Sequence, residues 1–239
     1  MGKQLRTTRG KRCAYCADAV ATTFDHVFPT SWYPESTPTR VQRWTVPACG
    51  QCNNLYSHME KVIGLLLSMS VDGDLQGTSG VWGKLGKAAQ PSTARTEKEA
   101  RAREALRQWV LKQQADVPTD FPRSAVLPHS LVNEQDAEPL LIDANELNGL
   151  MAKFARGSHC HLEKAPLPKG TDIAVSQVYA DDVQRLASSN RVERHEVGPG
   201  FTVLRLSEMT HEQYTARYAF CIWQSLNCFA DFTFTRGAD

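Results

Sequence analysis

Apolar residues first recur at a helical interval in residues 52–70, CNNLYSHMEKVIGLLLSMS, where Leu55, Met59, Val62, Ile63 and Leu66 share a face. Residues 71–80, VDGDLQGTSG, interrupt that pattern with glycine and aspartate. A second helix is predicted from about Ala94 to Gln114, rich in helix formers, with Ala102, Leu106, Trp109 and Val110 as its apolar stripe. Pro118, Pro122 and Pro128 then exclude any regular element from 116–130, which reads as a linker. Beyond it a helix is expected around 143–156, followed by strand-like runs at DIAVSQVYA, FTVLRL, YAFCIWQSL and CFADFTF. Helices first, then one helix and several strands, make an α+β chain. The proline-rich stretch divides it into residues 1–115 and an α+β accessory domain, 116–239.

Composition changes little: 41% hydrophobic and 22% charged residues are ordinary for a globular chain. No apolar run reaches bilayer length, so no membrane partner is expected. The basic start MGKQLRTTRGKR lacks the apolar stretch of a secretory signal, so a cytoplasmic location is expected. The net charge of +1 conceals an asymmetry: residues 1–112 carry 16 Lys+Arg against 9 Asp+Glu, residues 113–239 carry 11 against 17. A polyanion would therefore meet the first half, and the acidic half would contribute protein contact, oligomerisation or inhibition. On this division residues 1–115 alone are expected to bind that polyanion.

The chemistry concentrates in residues 13–66. Cys13, Cys16, Cys49 and Cys52 form two CxxC pairs, and in a chain without an export signal they read as metal ligands rather than disulfides. Four thiolates close a tetrahedron and leave no open position, so the ion implied is a structural zinc. Cys160, Cys221 and Cys228 have no partner spacing and read as small buried hydrophobes. Between the pairs stands FDHVFP, with Asp25 and His26 adjacent. The order CxxC, Asp-His-x-x-Pro, CxxC-Asn-Asn, helix resembles the HNH endonuclease family, which has a ββα-metal fold. That resemblance implies that His26 is the general base activating water, and that Asp25 and Asn53 hold a catalytic Mg2+ or Mn2+. It also implies DNA as the partner.

Two family features are missing. No Asn precedes Cys49 to hold the loop bearing the base, and Gln42 is the nearest candidate for that task. Tyr56 replaces a frequent Lys, with His58 as its nearest substitute; five residues from Asn53, His58 points about 140° away on a helix, which reads as a solvated side chain. Asn54 reads as loop-bracing. A regular strand would send Asp25 and His26 to opposite faces, so a local distortion is expected beside them. On the second helix Arg101, Arg103 and Arg107 could follow a DNA backbone, or be an ordinary solvated surface. His159, Cys160 and His161 read as a polar strand edge. Two alternatives stay open: a zinc-stabilised nucleic-acid-binding protein without catalysis, and a nuclease acting on RNA.

Overall fold

The computed structural model describes residues 7–69, 77–113 and 142–235; the predicted linker at 116–130 lies outside them. Strands β1 (Thr23–His26) and β2 (Thr45–Ala48) form an antiparallel pair, and α1 (Gly50–Met69) follows directly. α1 buries Val62, Ile63, Leu65, Leu66 and Leu67, while Leu55, placed on the apolar face by sequence, is 59% exposed. The face actually used near its start carries Tyr56 and Met59. Next come α2 (Val81–Ala89) and α3 (Glu97–Gln113). α2 escaped the sequence reading because Gly83 and Gly86 dilute its helical signal; Val81, Leu85 and Ala89, one turn apart, are its buried edge.

α4 (Ala144–Glu163) starts at Asp143, whose carboxylate accepts from the backbone N–H of Asn145 at 2.7 Å and of Glu146 at 3.2 Å. It runs seven residues past the predicted 156 and ends at Lys164 in the left-handed region, φ 62°. The segment GSHCHLEK, read from sequence as a strand edge, is therefore helical through Glu163. Gly, Ser, His and Cys are weak helix formers, and tertiary packing overrides them. The small residues have a purpose here: a Cβ on Gly157 would lie 3.1 Å from the Val27 side chain, so glycine lets α4 approach the hairpin.

The remaining elements are β3 (Ala174–Gln177), α5 (Ala180–Ala187), β4 (Glu193–Gly198), β5 (Phe201–Met209), β6 (Gln213–Ile222) and β7 (Leu226–Thr235). The five strands form one antiparallel sheet in the order β3-β7-β6-β5-β4. β4, ERHEVG, is a polar edge strand that hydrophobic patterning alone does not reveal. One face of the sheet packs under α5 through Val183, Leu204, Ala219 and Phe229.

The other face joins the hairpin, α1 and α4 in a single continuous core. The Phe28 ring lies 4.9 Å from Phe154, 5.2 Å from Phe201 and 6.1 Å from Phe220. Trp32 packs 5.2 Å from Trp223, whose Nε1–H donates to the Trp32 carbonyl at 3.0 Å. The expected boundary at residue 115 thus does not separate two cores: aromatic residues on both sides of it interdigitate. Charge asymmetry could not reveal this, because charges report the surface and not what is buried.

Candidate functional site

The two CxxC pairs meet because backbone bonds close both turns and tie them together. Cys13 N–H donates to Ala19 O at 2.9 Å, Ala17 N–H donates to Cys13 O at 2.9 Å, and Ala17 takes φ 57°. Ala14 N–H to Pro47 O, 2.8 Å, and Thr22 N–H to Ala48 O, 2.9 Å, hold the first turn against β2. Cys49 follows β2 and Cys52 lies in the first turn of α1. Tyr15 N–H points at Cys13 Sγ, 3.4 Å, and Cys52 N–H at Cys49 Sγ, 3.5 Å. All four Sγ atoms lie within 4.8 Å of one another. A zinc tetrahedron with bonds of about 2.3 Å has sulfur–sulfur edges of about 3.8 Å, so the cluster can hold a metal ion such as zinc. Burial pushes the Cys13 and Cys52 thiols up; at Cys16 burial also opposes ionisation, but hydrogen bonds from Ala19 and Asp18 outweigh it and bring the thiol down to about 7. A cation would favour the thiolate form of all four.

The other cysteines behave as the sequence implied. Cys160 and Cys228 are buried and Cys221 is partly buried in the smaller cluster. Burial raises their thiols to about 11, 12 and 11 respectively.

Asp25 and His26 close β1, pairing with Val46 and Thr45 without a register shift. The pleat turns their side chains to opposite faces. Asp25 faces inward, its side chain 16% exposed, and its Oδ2 accepts the Tyr15 hydroxyl at 2.6 Å and pairs with Lys153 Nζ at 3.1 Å. These contacts leave Oδ1. Tyr15 stays a donor because burial, and then the Asp25 charge, hold its phenol well above its usual range. His26 is partly buried; burial lowers its pKa, Asp25 opposes that, and Arg43 and Lys153 reinforce it. The imidazole is therefore a free base at neutral pH.

Lys153, from the middle of α4, is the residue that sequence reasoning missed. Its side chain has no exposure, and Nζ donates to Glu60 Oε1 at 2.6 Å, His26 O at 2.8 Å and Val27 O at 3.0 Å, besides pairing with Asp25. The rings of Tyr15 and Phe154 stand 5.3 and 5.5 Å from the ammonium. Burial raises the Glu60 pKa and Lys153 opposes that. The available signal was a lone lysine inside an otherwise apolar face, between Leu150, Met151 and Phe154, and an acid two turns after Asn53 on α1.

The other predicted residues divide. α1 begins at Gly50, so Asn53 is inside its first turn with its N–H donated to Cys49 O at 3.0 Å. Seven residues separate it from Glu60, which puts both on one side of α1. Asn54 and His58 are exposed. Gln42 is exposed too, and the carbonyls it would have braced are taken by Lys153. Tyr56 packs edge-on against Tyr15, ring centroids 5.1 Å apart. On α3, Arg101 pairs with Glu97 and Arg107 is exposed. Arg103 is 19% exposed and donates to Lys87 O and Gln90 O, both at 3.2 Å, so it caps the end of α2 rather than facing solvent. Among the described residues no helix is long and apolar enough to cross a membrane. His161 stacks on Trp44, centroids 4.8 Å apart, whereas His159 is enclosed by Tyr214, Phe232 and Phe234; the helix separates the two histidines.

Comparison with family models, with curated proteins and with solved structures finds no match.

Proposed function

We propose that the chain is an endonuclease of the ββα-metal (HNH) type that hydrolyses phosphodiester bonds in DNA, with His26 as general base. One observation carries this reading. A four-cysteine cluster, a two-stranded hairpin and a helix follow one another, and they hold a neutral imidazole at the end of the first strand, with the carboxylate of the preceding residue on the strand's other face. A base with a pKa below the ordinary histidine value is deprotonated at neutral pH and can take the proton of an attacking water. The zinc would be structural, since all four of its positions are filled by sulfur.

Asp25 Oδ1 and the Asn53 side-chain amide would hold the Mg2+ or Mn2+; a single carboxylate oxygen and an amide oxygen, completed by water, suit a hard divalent ion. Such an ion supplies charge stabilisation for the phosphorane and the departing 3′ oxygen. On this chain's side, Tyr15 and Lys153 fix the Asp25 carboxylate through its other oxygen, as outer partners orient a ligating carboxylate. The net positive first half would attract the phosphate backbone, and the acidic second half would serve a protein partner or a second copy of the chain.

Supercoiled plasmid tests this directly, with Mg2+, with Mn2+ and with chelator in parallel. Nicking that needs the divalent ion and falls by several orders of magnitude in His26→Ala, at unchanged zinc content, is the expected result. Full cleavage by His26→Ala overturns the assignment. The second reading, a zinc-stabilised nucleic-acid-binding protein without catalysis, is favoured by the saturation of Asp25 Oδ2 by Tyr15 and Lys153. It predicts retarded but intact plasmid under every ion. Parallel lanes with a structured RNA separate the DNA and RNA substrates.

A further inference from the structure

We propose that Lys153 is a positioning residue: its ammonium clamps the bend that follows β1 and so fixes where His26 points. In an extended strand successive carbonyls point to opposite sides. The carbonyls of His26 and Val27 instead converge on one nitrogen, at 2.8 and 3.0 Å. The chain therefore turns immediately after the base; β1 itself stays regular, so the distortion expected beside Asp25 and His26 is absent and their side chains keep opposite faces. An ammonium has three N–H groups, and here they meet two carbonyls and two carboxylates. No water is needed to satisfy it, which is consistent with its complete burial.

The same nitrogen restrains Asp25 and Glu60, so one side chain ties β1, the bend and α1 together. This is the task for which the chain lacks an Asn before Cys49, performed from α4. The segment from Asp25 to Val27 is thus completed by a residue 126 or more positions away in sequence. The positioning of His26 for hydrolysis rests on the nuclease reading above; the clamp on the backbone does not.

The test uses the full zinc-loaded chain. Lys153→Met alone would leave two buried carboxylates without a cation and could unfold the protein, so it is combined with Glu60→Gln, which keeps the net charge of the cluster at −1. Glu60→Gln alone retains the clamp and is the control. Amide hydrogen exchange over residues 24–30 is measured beside plasmid cleavage. In the double variant, exchange in that segment should rise at least about tenfold while the zinc content is kept. The cleavage kcat should fall about thirtyfold or more with KM unchanged, since a misdirected base weakens the chemical step and not binding. Glu60→Gln should stay within about threefold of the parent in both. Unchanged exchange in the double variant overturns the clamp, whatever the activity. Faster exchange with unchanged kcat overturns the positioning role. A parent that cuts nothing, with faster exchange in the double variant, defeats the nuclease reading and the positioning role but leaves the clamp standing.

Discussion

Replacing Gly64 with alanine tests the seat of Trp32, the aromatic residue through which the hairpin loop, α1 and the sheet are joined. An added Cβ would lie 2.2 Å from Trp32 Nε1 and 2.7 Å from its Cε2, far inside van der Waals contact. Trp32 cannot give way: it is fully buried between Phe154 and Trp223, and its Nε1–H donates to Glu60 O at 3.1 Å. Two opposing effects set the sign. Alanine improves helix propensity over glycine by about 1 kcal/mol. Overpacking costs about 3 kcal/mol at such a distance, and displacing the indole forfeits a hydrogen bond of about 1 kcal/mol. The net is a loss of about 3 kcal/mol, or a Tm lowered by about 6–12 °C for a chain of this size. Gly83 in α2 is the internal control, being exposed with nothing within 4 Å of an added Cβ. There propensity acts alone, and Gly83→Ala should raise Tm by about 1–4 °C. Thermal melts by circular dichroism with zinc present measure both. Stabilisation by both substitutions would show that Trp32 does not occupy this seat, and the reasoning about the shared core would fall with it.

Four further outcomes are expected. Cys13→Ser or Cys49→Ser should lose the bound zinc and unfold the hairpin region, read by metal analysis and exchange; stoichiometric zinc in a stable double variant would refute the knot. Residues 1–115 expressed alone should fail to fold, contrary to the expectation from charge division, because Phe28 and Trp32 would face water and Lys153 would be absent; a cooperative melt of that fragment would refute the single core. Burial lowers His159 to about 4. The unfolded chain, titrating near 6.5, therefore binds the proton more readily, and stability should be complete above about 6.5 and fall by up to about 3 kcal/mol as pH drops toward 4; His159→Phe should flatten that part of denaturant titrations run against pH. Charge reversal at Arg107 should make log affinity for DNA shallower against log salt by about 1, whereas reversal at Arg103 should lower Tm by disturbing the end of α2; equal salt slopes for both and no change in Tm would sink the distinction.

The four-cysteine cluster and its hairpin were legible in the chain itself. CxxC spacing fixes which sulfurs can converge, and tight turns do the rest locally, so Cys13, Cys16, Cys49 and Cys52 meet as their spacing implied. The same holds for α1, α3 and strands β5 and β7; the run YAFCIWQSL marked only the end of β6, which starts at Gln213, and it continued through the turn at 223–225 where Trp223 and Gln224 take positive φ. Where local preference is weak, tertiary packing decided. α2 carries two glycines, β4 is a polar edge, and the end of α4 is made of poor helix formers that are helical because a small residue is needed beneath Val27. The boundary at 115 was drawn from charges, most of which lie on the surface, while the charges inside the core that crosses it are, among the described residues, Lys153 and the two carboxylates it pairs with. That lysine illustrates the limit best: in sequence it is one cation among eleven in the second half. Only the approach of α4 to the end of β1 gives its ammonium two carbonyls and two carboxylates to satisfy. A contact between residues more than a hundred positions apart leaves no periodicity in the chain, because it is set by the packing of whole elements and not by local conformation.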